Sequence, residues 1–515
     1  MSLPALLLLP VGLLQQPPIT VNRYLKFEIP LETTQPGGID WGDQTRAADH
    51  AVVKFNRFKD FAVVYQTTRP DLITPTAPNL RQVELALFQY NGNDSWTYMG
   101  NQLLGDVHID ALGRNVPLMK CERPDVVGIG DCFFTHWTRR YENLPFDPSV
   151  EEGSWTQWDP GTSTFRTYTN YPLTPGRGFD LDFDGNLNNG GANLWVEECA
   201  GVPDAVILDD STPVLKVGVV YLHQTQFSGS PNGNRSFQIR FLTTSFDSGN
   251  PALPFTKTNP EVLFASVNFN GPDNDAAGLI LPEVSEASVS SRFLLAFEEQ
   301  LQVPPPGTGF YGRIRLHLMD NSTGSWDSLQ SHTFGSSSSP ASRRRALIDS
   351  LREASLAAGK DLVTIAFNKI VPNTNNADVV FEEWAFDPNV GVYKVLWPAG
   401  TGWDNDPGGV AWYDFRPSPI HGFTSTFRRC ITARFLNPAP PPPPYWPPPP
   451  LSPRDMLEYR MATDDYQTLD TGDLGRAATD YLHDPTHPTQ PDYLVVTWEK
   501  ATPGQSDSRI QVIVR

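Results

Sequence analysis

The sequence is poor in cysteine, in histidine and in basic residues. It has nine histidines and only four cysteines, Cys121, Cys132, Cys199 and Cys430, and no two of these form a Cys-x-x-Cys pair. That spacing is typical neither of a zinc site nor of a disulfide-stapled scaffold. With 39 basic against 58 acidic residues, the formal net charge is −19. A chain with this acidic excess is not expected to bind nucleic-acid phosphates.

Long apolar runs are also scarce, and the longest lies at the N-terminus. Residues 3–14 read LPALLLLPVGLL, and no Lys or Arg precedes Arg23. The run is too short to cross a bilayer as a helix, so no transmembrane segment is predicted. A signal peptide would also carry basic residues before its apolar stretch. We interpret residues 1–18 as an apolar arm that docks, through Leu6, Leu7, Leu8 and Leu9, on a partner or on its own fold. A poor signal peptide is the alternative.

What the sequence does contain is a repeated strand pattern. Apolar runs begin at Phe61, Cys132, Val217, Phe293, Asp361, Cys430 and Tyr493, which are 63 to 85 residues apart. Each run is followed by a loop, often rich in Gly or Pro, an alternating strand, a tight turn and a further strand. The first such turn is Asn91-Gly92, between VELALFQY and SWTY. These are the signals of antiparallel strands.

Four-stranded antiparallel units that repeat seven times predict an all-β, seven-bladed β-propeller. The predicted blades lie near residues 50–100, 121–170, 202–247, 281–330, 350–398, 403–466 and 474–515. Residues 19–515 would then form one propeller, in which residues 19–29 supply the strand that the last blade lacks and remove an exposed edge. Two β-sandwiches in tandem are the alternative. The one helical candidate is Ser339 to Leu356, whose second half also fits the first strand of a blade.

The long connections between second and third strands would lie on one face of such a propeller. The sixth, residues 438–453, reads PAPPPPPYWPPPPLSP and has Tyr445 and Trp446 at its centre. Polyproline is stiff, so the presentation of two aromatic side chains costs little entropy. We predict that this segment anchors a partner protein. A rigid spacer that covers the face is the alternative.

One acidic loop has the composition of a calcium site. Its oxygen-bearing side chains occupy alternate positions around a glycine: Asp180, Asp182, Asp184, Asn186 and Asn188. Such a loop directs several oxygens at one hard cation. The motif resembles the calcium loops of EF-hands and of integrin-type propeller repeats, and this resemblance implies a calcium cofactor. It departs from the EF-hand in Gly191, and from the integrin-type loop in Asn188. A solvated acidic turn is the alternative.

Several strands end in an aromatic residue followed by an acid, as in Phe297-Glu298 and Trp498-Glu499. These strands, and the segment VAWYDFR from Val410 to Arg416, resemble those of sialidase-like propellers. The family's S-x-D-x-G-x-x-W boxes are not intact, because Asn321 to Trp326 keeps only a remnant. A glycan hydrolase needs a carboxylate pair and convergent arginines. Asp414, Arg416, Glu298 and Arg139 are available, but we expect them to form structural salt links.

No catalytic residue is therefore predicted, and the leading hypothesis is a non-enzymatic structural or binding propeller. It would belong to a larger assembly, such as a virion tail or a surface layer, and would contact other subunits, or copies of itself, through the loop face. One alternative is an exported glycan-binding or adhesion module, and another is a sialidase-like glycoside hydrolase. The expected location is the virion, the extracellular space or the cell surface, and the cytoplasm stays open.

Overall fold

The computed structural model describes part of the 515-residue chain. The described residues are 19–30, 47–55, 59–68, 81–104, 119–129, 131–141, 149–159, 164–167, 171–172, 196–210, 213–227, 235–250, 256–267, 278–287, 289, 291–302, 310–334, 343–351, 362–370, 377–397, 416–422, 425–435, 452–460, 465–482, 493–501 and 508–515. Within them every regular element is a β-strand, so the predicted all-β class is confirmed for this part of the chain.

The strands of the first half of the chain have the following bounds. They are β1 Ile19–Asn22, β2 Phe27–Glu28, β3 Ala47–Phe55, β4 Asp60–Thr68, β5 Arg81–Gly92, β6 Ser95–Leu103, β7 Met119–Ile129, β8 Cys132–Tyr141, β9 Ser149–Asp159, β10 Thr164–Thr167, β11 Tyr171–Pro172, β12 Val196–Asp209, β13 Val214–Phe227, β14 Arg235–Asp247, β15 Thr256–Lys257 and β16 Glu261–Val267.

The strands of the second half follow the same plan. They are β17 Gly278–Glu286, β18 Arg292–Gln302, β19 Phe310–Asp320, β20 Asp327–Phe334, β21 Arg343–Leu351, β22 Leu362–Ile370, β23 Ala377–Asp387, β24 Val392–Trp397, β25 Arg416–Gly422, β26 Ser425–Phe435, β27 Ser452–Arg460, β28 Asp465–Leu482, β29 Tyr493–Ala501 and β30 Ser508–Val514.

Strands that follow one another along the chain pair antiparallel in runs of about four. The orders β17-β18-β19-β20 and β21-β22-β23-β24 are separate sheets. A larger sheet holds β3 to β16 together with β1, and only single residue pairs join its runs, Arg81 with Lys120 and Ser149 with Cys199. The last sheet has the order β25-β26-β27-β28-β29-β30-β2. Local antiparallel pairing of this kind follows from short loops and alternating strands.

The long strand β28 belongs to two runs. Its residues 465–474 pair with β27, and its residues 474–482 pair with β29. A register shift between Leu474 and Ala477 marks the change of partner. β28 is therefore the last strand of one run and the first strand of the next.

The first strands of the runs are neighbours in a cyclic order. β3 contacts β7, β7 contacts β12, β12 contacts β17, and β17 contacts β21. β21 then contacts β25, β25 contacts β28, and β28 contacts β3 again. The first and the last run of strands are therefore neighbours in space.

The N-terminal segment joins these two ends. β1 pairs with β6, whereas β2 pairs with β30. The strand predicted over residues 19–29 is thus two short strands, of which only the second extends the last run. Side chains from both ends and from this segment form one hydrophobic cluster, in which the rings of Trp96 and Tyr493 meet edge to face with 5.0 Å between their centroids. Large aromatic surfaces buried in this way contribute strongly to stability.

Two further expectations can be compared with the structure. The helical candidate from Ser339 is wrong over residues 343–351, which form β21 and pair with β22. Cys132 is a buried free thiol, so it forms no disulfide. In the described segments no helix has the length and hydropathy to span a membrane.

Candidate functional site

Three of the first strands carry an acidic residue at the same structural position. In β7, β12 and β17 a register shift immediately precedes Asp125, Asp204 and Glu283 respectively. A proline precedes each acid in the sequence and is buried, whereas each acid keeps partial solvent access. Bulges tolerate proline, because the extra residue does not need its backbone N–H for the ladder. They also redirect side chains, which brings these acids together where neighbouring first strands meet.

Asp204 links two runs of strands through its carboxyl group. Its Oδ1 accepts a hydrogen bond from the backbone N–H of Ala205 at 2.8 Å. Its Oδ2 accepts one from the backbone N–H of Val284 on β17 at 2.6 Å. Asp125 repeats the local part of this arrangement, because its Oδ1 accepts from the N–H of Val126 at 2.8 Å. The acids therefore sit at fixed positions on the backbone.

The pKa of Asp204 lies well above its ordinary value. Burial is the largest cause, and the negative charges of Glu283 and Asp125 add to it. A hydrogen bond with the Asp125 side chain further favours the protonated form, while the N–H of Val284 acts in the opposite direction. Carboxylates that share a site in this way hold a proton or a cation between them.

His136 completes the cluster from the strand next to Asp125. It lies on β8 directly opposite Asp125 in the antiparallel register, so both side chains occupy one face of the sheet. The imidazole is fully buried, and neither ring nitrogen has a hydrogen-bond partner. Burial lowers the pKa of His136 to about 4, although the charge of Asp125 opposes this shift. The ring is therefore neutral at physiological pH and keeps a free lone pair.

The geometry brings the three ligand atoms close to one another. One ring nitrogen of His136 and one oxygen each from Asp125 and Asp204 all lie within 4.8 Å of one another. Buried polar atoms normally have a partner, so an unpaired imidazole beside two carboxyl groups is unusual. This arrangement can do two kinds of chemistry: it can deliver a proton from a carboxyl pair, or it can hold a cation.

The metal-ligand and partner-binding residues predicted from the sequence fall outside the part of the chain that the structure describes. The calcium-loop candidates Asp180, Asp182, Asp184, Asn186 and Asn188 are outside the described residues, and so are Leu6, Leu7, Leu8, Leu9, Tyr445 and Trp446. The calcium site, the apolar arm and the polyproline anchor therefore remain predictions. Of the hydrolase candidates, Asp414 is also outside the described residues, and Glu298 is buried on β18.

Sequence reasoning missed the acidic cluster, although a signal for it was present. The segments PDVVGI, PDAVIL and PEVSEA each begin with a proline and an acid, and the acids Asp125, Asp204 and Glu283 are spaced 79 residues apart. This equal spacing is close to the length of one repeat. The proline–acid pairs lie in the first strands of the runs, so an alignment of the first strands shows this spacing and an alignment of the second strands does not.

No protein-family model matches the sequence, and a search of curated proteins finds no match either. The solved structures that resemble this one include a sialidase, a family-43 glycoside hydrolase and a levansucrase. The NanB sialidase from Streptococcus pneumoniae has a TM-score of 0.37 and 10% identity over 96% of this chain and 70% of that one. A thermostable family-43 glycoside hydrolase has a TM-score of 0.32 and 12% identity over 69% and 94%. The levansucrase from Bacillus subtilis has a TM-score of 0.32 and 9% identity over 69% and 87%. At these TM-scores the likeness assigns neither a family nor an activity to this chain.

Proposed function

We propose that the chain forms a seven-bladed β-propeller closed by its N-terminal segment. The cyclic contacts of β3, β7, β12, β17, β21, β25 and β28 support seven blades, each with one of these first strands. The double pairing of β28 and the pairing of β1 and β2 with opposite ends of the chain support ring closure. In propellers, sites form where the first strands converge on the axis, and the acidic cluster lies on three adjacent first strands.

The function that this cluster supports best is the hydrolysis of glycosidic bonds. The observation that carries the proposal is the convergence of Asp125, Asp204 and Glu283 with partial solvent access. Glycoside hydrolysis needs two carboxyl groups, one to protonate the leaving oxygen and one to stabilise or attack the anomeric carbon. Pairs in inverting enzymes are roughly 6.5–9.5 Å apart, and pairs in retaining enzymes roughly 5–5.5 Å. Asp125 and Asp204 share a hydrogen bond and are therefore closer than either spacing, and Glu283 adds a third carboxyl group to the site.

A panel of fluorogenic glycosides, including sialosides and arabinosides, tests this proposal with the full-length chain. We expect at least one substrate to be turned over, and we expect Asp204→Asn and Asp125→Asn to lower kcat by roughly 10²- to 10⁴-fold. Asp387→Asn, at the end of β23 and on none of the strands that carry the acidic cluster, is the matched control and should leave kcat unchanged. The absence of turnover on the whole panel, or full activity in both cluster variants, would refute the hydrolase proposal.

A further inference from the structure

A buried histidine with two unused nitrogens stands beside the acidic cluster. Buried polar groups without partners cost free energy, so an imidazole with two unpaired nitrogens calls for a physical explanation. His136 has no solvent access and no hydrogen-bond partner at either Nδ1 or Nε2. Its ring stacks against Phe134, with ring centroids 5.8 Å apart and the planes tilted by 27°. That ring covers a face of the imidazole and satisfies neither nitrogen.

The carboxyl groups next to His136 carry negative charge that is only partly compensated. Asp125, Asp204 and Glu283 crowd negative charge into a region that is largely enclosed by protein. The backbone N–H groups of Ala205 and Val284 offset part of the charge on Asp204. Among the described residues, none of the groups that act on the pKa of Asp204 is a Lys or an Arg. A metal cation would accept the lone pair of the imidazole and would also neutralise the charge of the carboxylates.

From these contacts we infer that Asp125, His136 and Asp204 bind a divalent transition-metal ion. The ligand atoms all lie within 4.8 Å of one another, and zinc ligands stand roughly 2.0–2.2 Å from the ion. One imidazole with two carboxylates suits zinc, manganese or ferrous iron better than calcium, which prefers oxygen ligands alone. Partial exposure of Asp125 and Asp204 leaves a route by which the ion enters.

The position of the histidine within the repeat strengthens the inference. In the run of β17 and β18, the residue opposite Glu283 is Ala296, and in the run of β12 and β13 the residue opposite Asp204 is Val220. Both of these are apolar, as expected for a buried strand. Of these three runs, only the one with Asp125 has an imidazole, His136, at this position. Asp204 of the next run lies beside it. A purely structural position would be filled by an apolar residue at lower cost.

This inference goes beyond the hydrolase proposal and does not depend on it. A metal ion held by Asp125 and Asp204 withdraws both carboxylates from a sugar, so saturating metal is expected to inhibit any hydrolysis. Metal binding itself is measured without a substrate, and its outcome therefore stands whether or not the chain cleaves glycosides.

The test is isothermal titration of untagged, chelator-treated full-length protein with zinc chloride, manganese chloride and calcium chloride separately. We expect one saturable site for zinc or manganese per chain and much weaker binding of calcium. His136→Asn and Asp204→Asn should each weaken binding by at least about 100-fold, the upper end of what the loss of an outer-shell partner costs. Cobalt loading gives a second readout, because its visible absorption should change in His136→Asn if the imidazole is a ligand.

His317→Asn is the matched control. His317 is also buried within a sheet, but its Nδ1 contacts the hydroxyl of Ser328 at 2.8 Å, away from the acidic cluster. We expect this variant to bind metal as the wild type does, with circular dichroism confirming that all variants fold. If His136→Asn fails to fold, Asp204→Asn and the cobalt spectrum of the wild type decide. Absence of saturable zinc and manganese binding below about 100 μM, or equal binding by wild type and the cluster variants, overturns the inference.

Discussion

Replacement of Asp470 by Asn tests how the two ends of the chain are held together. Asp470 lies on β28, and its side chain is only 6% exposed. Its Oδ1 accepts hydrogen bonds from Lys26 Nζ at 2.8 Å and from Lys500 Nζ at 2.9 Å, and its Oδ2 accepts one from Trp498 Nε1 at 3.1 Å. Lys26 belongs to the N-terminal segment, so this one carboxylate ties that segment to the last run of strands.

The expected magnitude lies between two known limits. Removal of one partner from a fully buried ion pair costs roughly 3–5 kcal/mol, whereas an exposed pair contributes about 0–1 kcal/mol. Asp470 is nearly buried, but the side chains of Lys26 and Lys500 are 43% and 30% exposed, so water screens part of the attraction. Asn keeps one oxygen acceptor and loses the charge. We expect Asp470→Asn to lower the free energy of unfolding by about 2 kcal/mol at pH 7.

The pH dependence gives the prediction a second test. Burial raises the pKa of Asp470, but the hydrogen bonds from Lys26 and Lys500 outweigh it, and the folded-state pKa lies below the ordinary 3.8. A carboxyl group with a depressed folded pKa contributes stability that is complete above its unfolded pKa and disappears as pH falls through its folded pKa. The difference between wild type and Asp470→Asn should therefore be full at pH 7 and vanish on acidification below the folded pKa.

Urea unfolding followed by tryptophan fluorescence measures both effects, with Asp387→Asn as the control. Asp387 also accepts a hydrogen bond from a lysine, Lys394, but this pair lies at the surface, so its loss should not change the urea midpoint measurably. If Asp470→Asn and Asp387→Asn unfold at the same urea concentration at pH 7, the proposed tie does not stabilise the closure. A difference that stays unchanged at pH 2.5 would show that its origin is not the charge.

Two further predictions concern packing between β13 and β14 and a hydrogen bond made by the first residue of β29. Gly218→Ala places a Cβ 2.5 Å from the Cε2 and Cζ atoms of the buried Phe241 ring, which stacks on Phe293 and has little room to move. We expect a loss of about 1–3 kcal/mol in the free energy of unfolding, and an unchanged urea midpoint would contradict this packing. Tyr493→Phe removes the hydroxyl that donates to Asp94, which is the largest cause of the lowered pKa of that carboxyl. Carboxyl titration by NMR should show the pKa of Asp94 rise towards 3.8, and no rise would refute the assigned contact.

The sequence predicted the strands well because their signals are local. The run from Phe61 to Tyr65 is apolar at every position, and each of its side chains is fully buried in β4. A strand enclosed on both faces needs such a run, and short loops then pair it with its neighbours. The helical candidate from Ser339 failed for the opposite reason. Its signals, Pro340 near the start and Gly359 after the end, are local too. Pairing of β21 with β22 nevertheless satisfies the backbone of residues 343–351, and this tertiary contact overrides the propensity.

The acidic cluster could not be predicted in the same way, because its members are far apart in the sequence. Asp125 and Asp204 come together only when β7 and β12 lie side by side, and Glu283 joins them only through β17. The loop from Asp180 to Asn188 is recognisable in the sequence because its oxygen-bearing residues lie within nine consecutive positions. Residues spaced 79 positions apart occupy equivalent places in successive repeats, so they come close where neighbouring first strands meet. The proline–acid pairs therefore become a signal only after the repeat is recognised.

The cluster also needs the rest of the fold to hold it. Two ionised carboxylates repel, so Asp125 and Asp204 stay this close only while a shared proton or a cation removes part of the charge. The register shifts before the acids fix their direction, and Leu281, just before Pro282, adopts a φ of +50° that a leucine rarely takes. Such strain persists only where the surrounding packing dictates it. Here the packing comes from the cluster that contains Val206, Val220, Val284 and Phe293, which locks β12 against β17. This core holds the strands in place although burial of the acidic cluster at its edge is unfavourable, so packing elsewhere offsets the cost of the cluster.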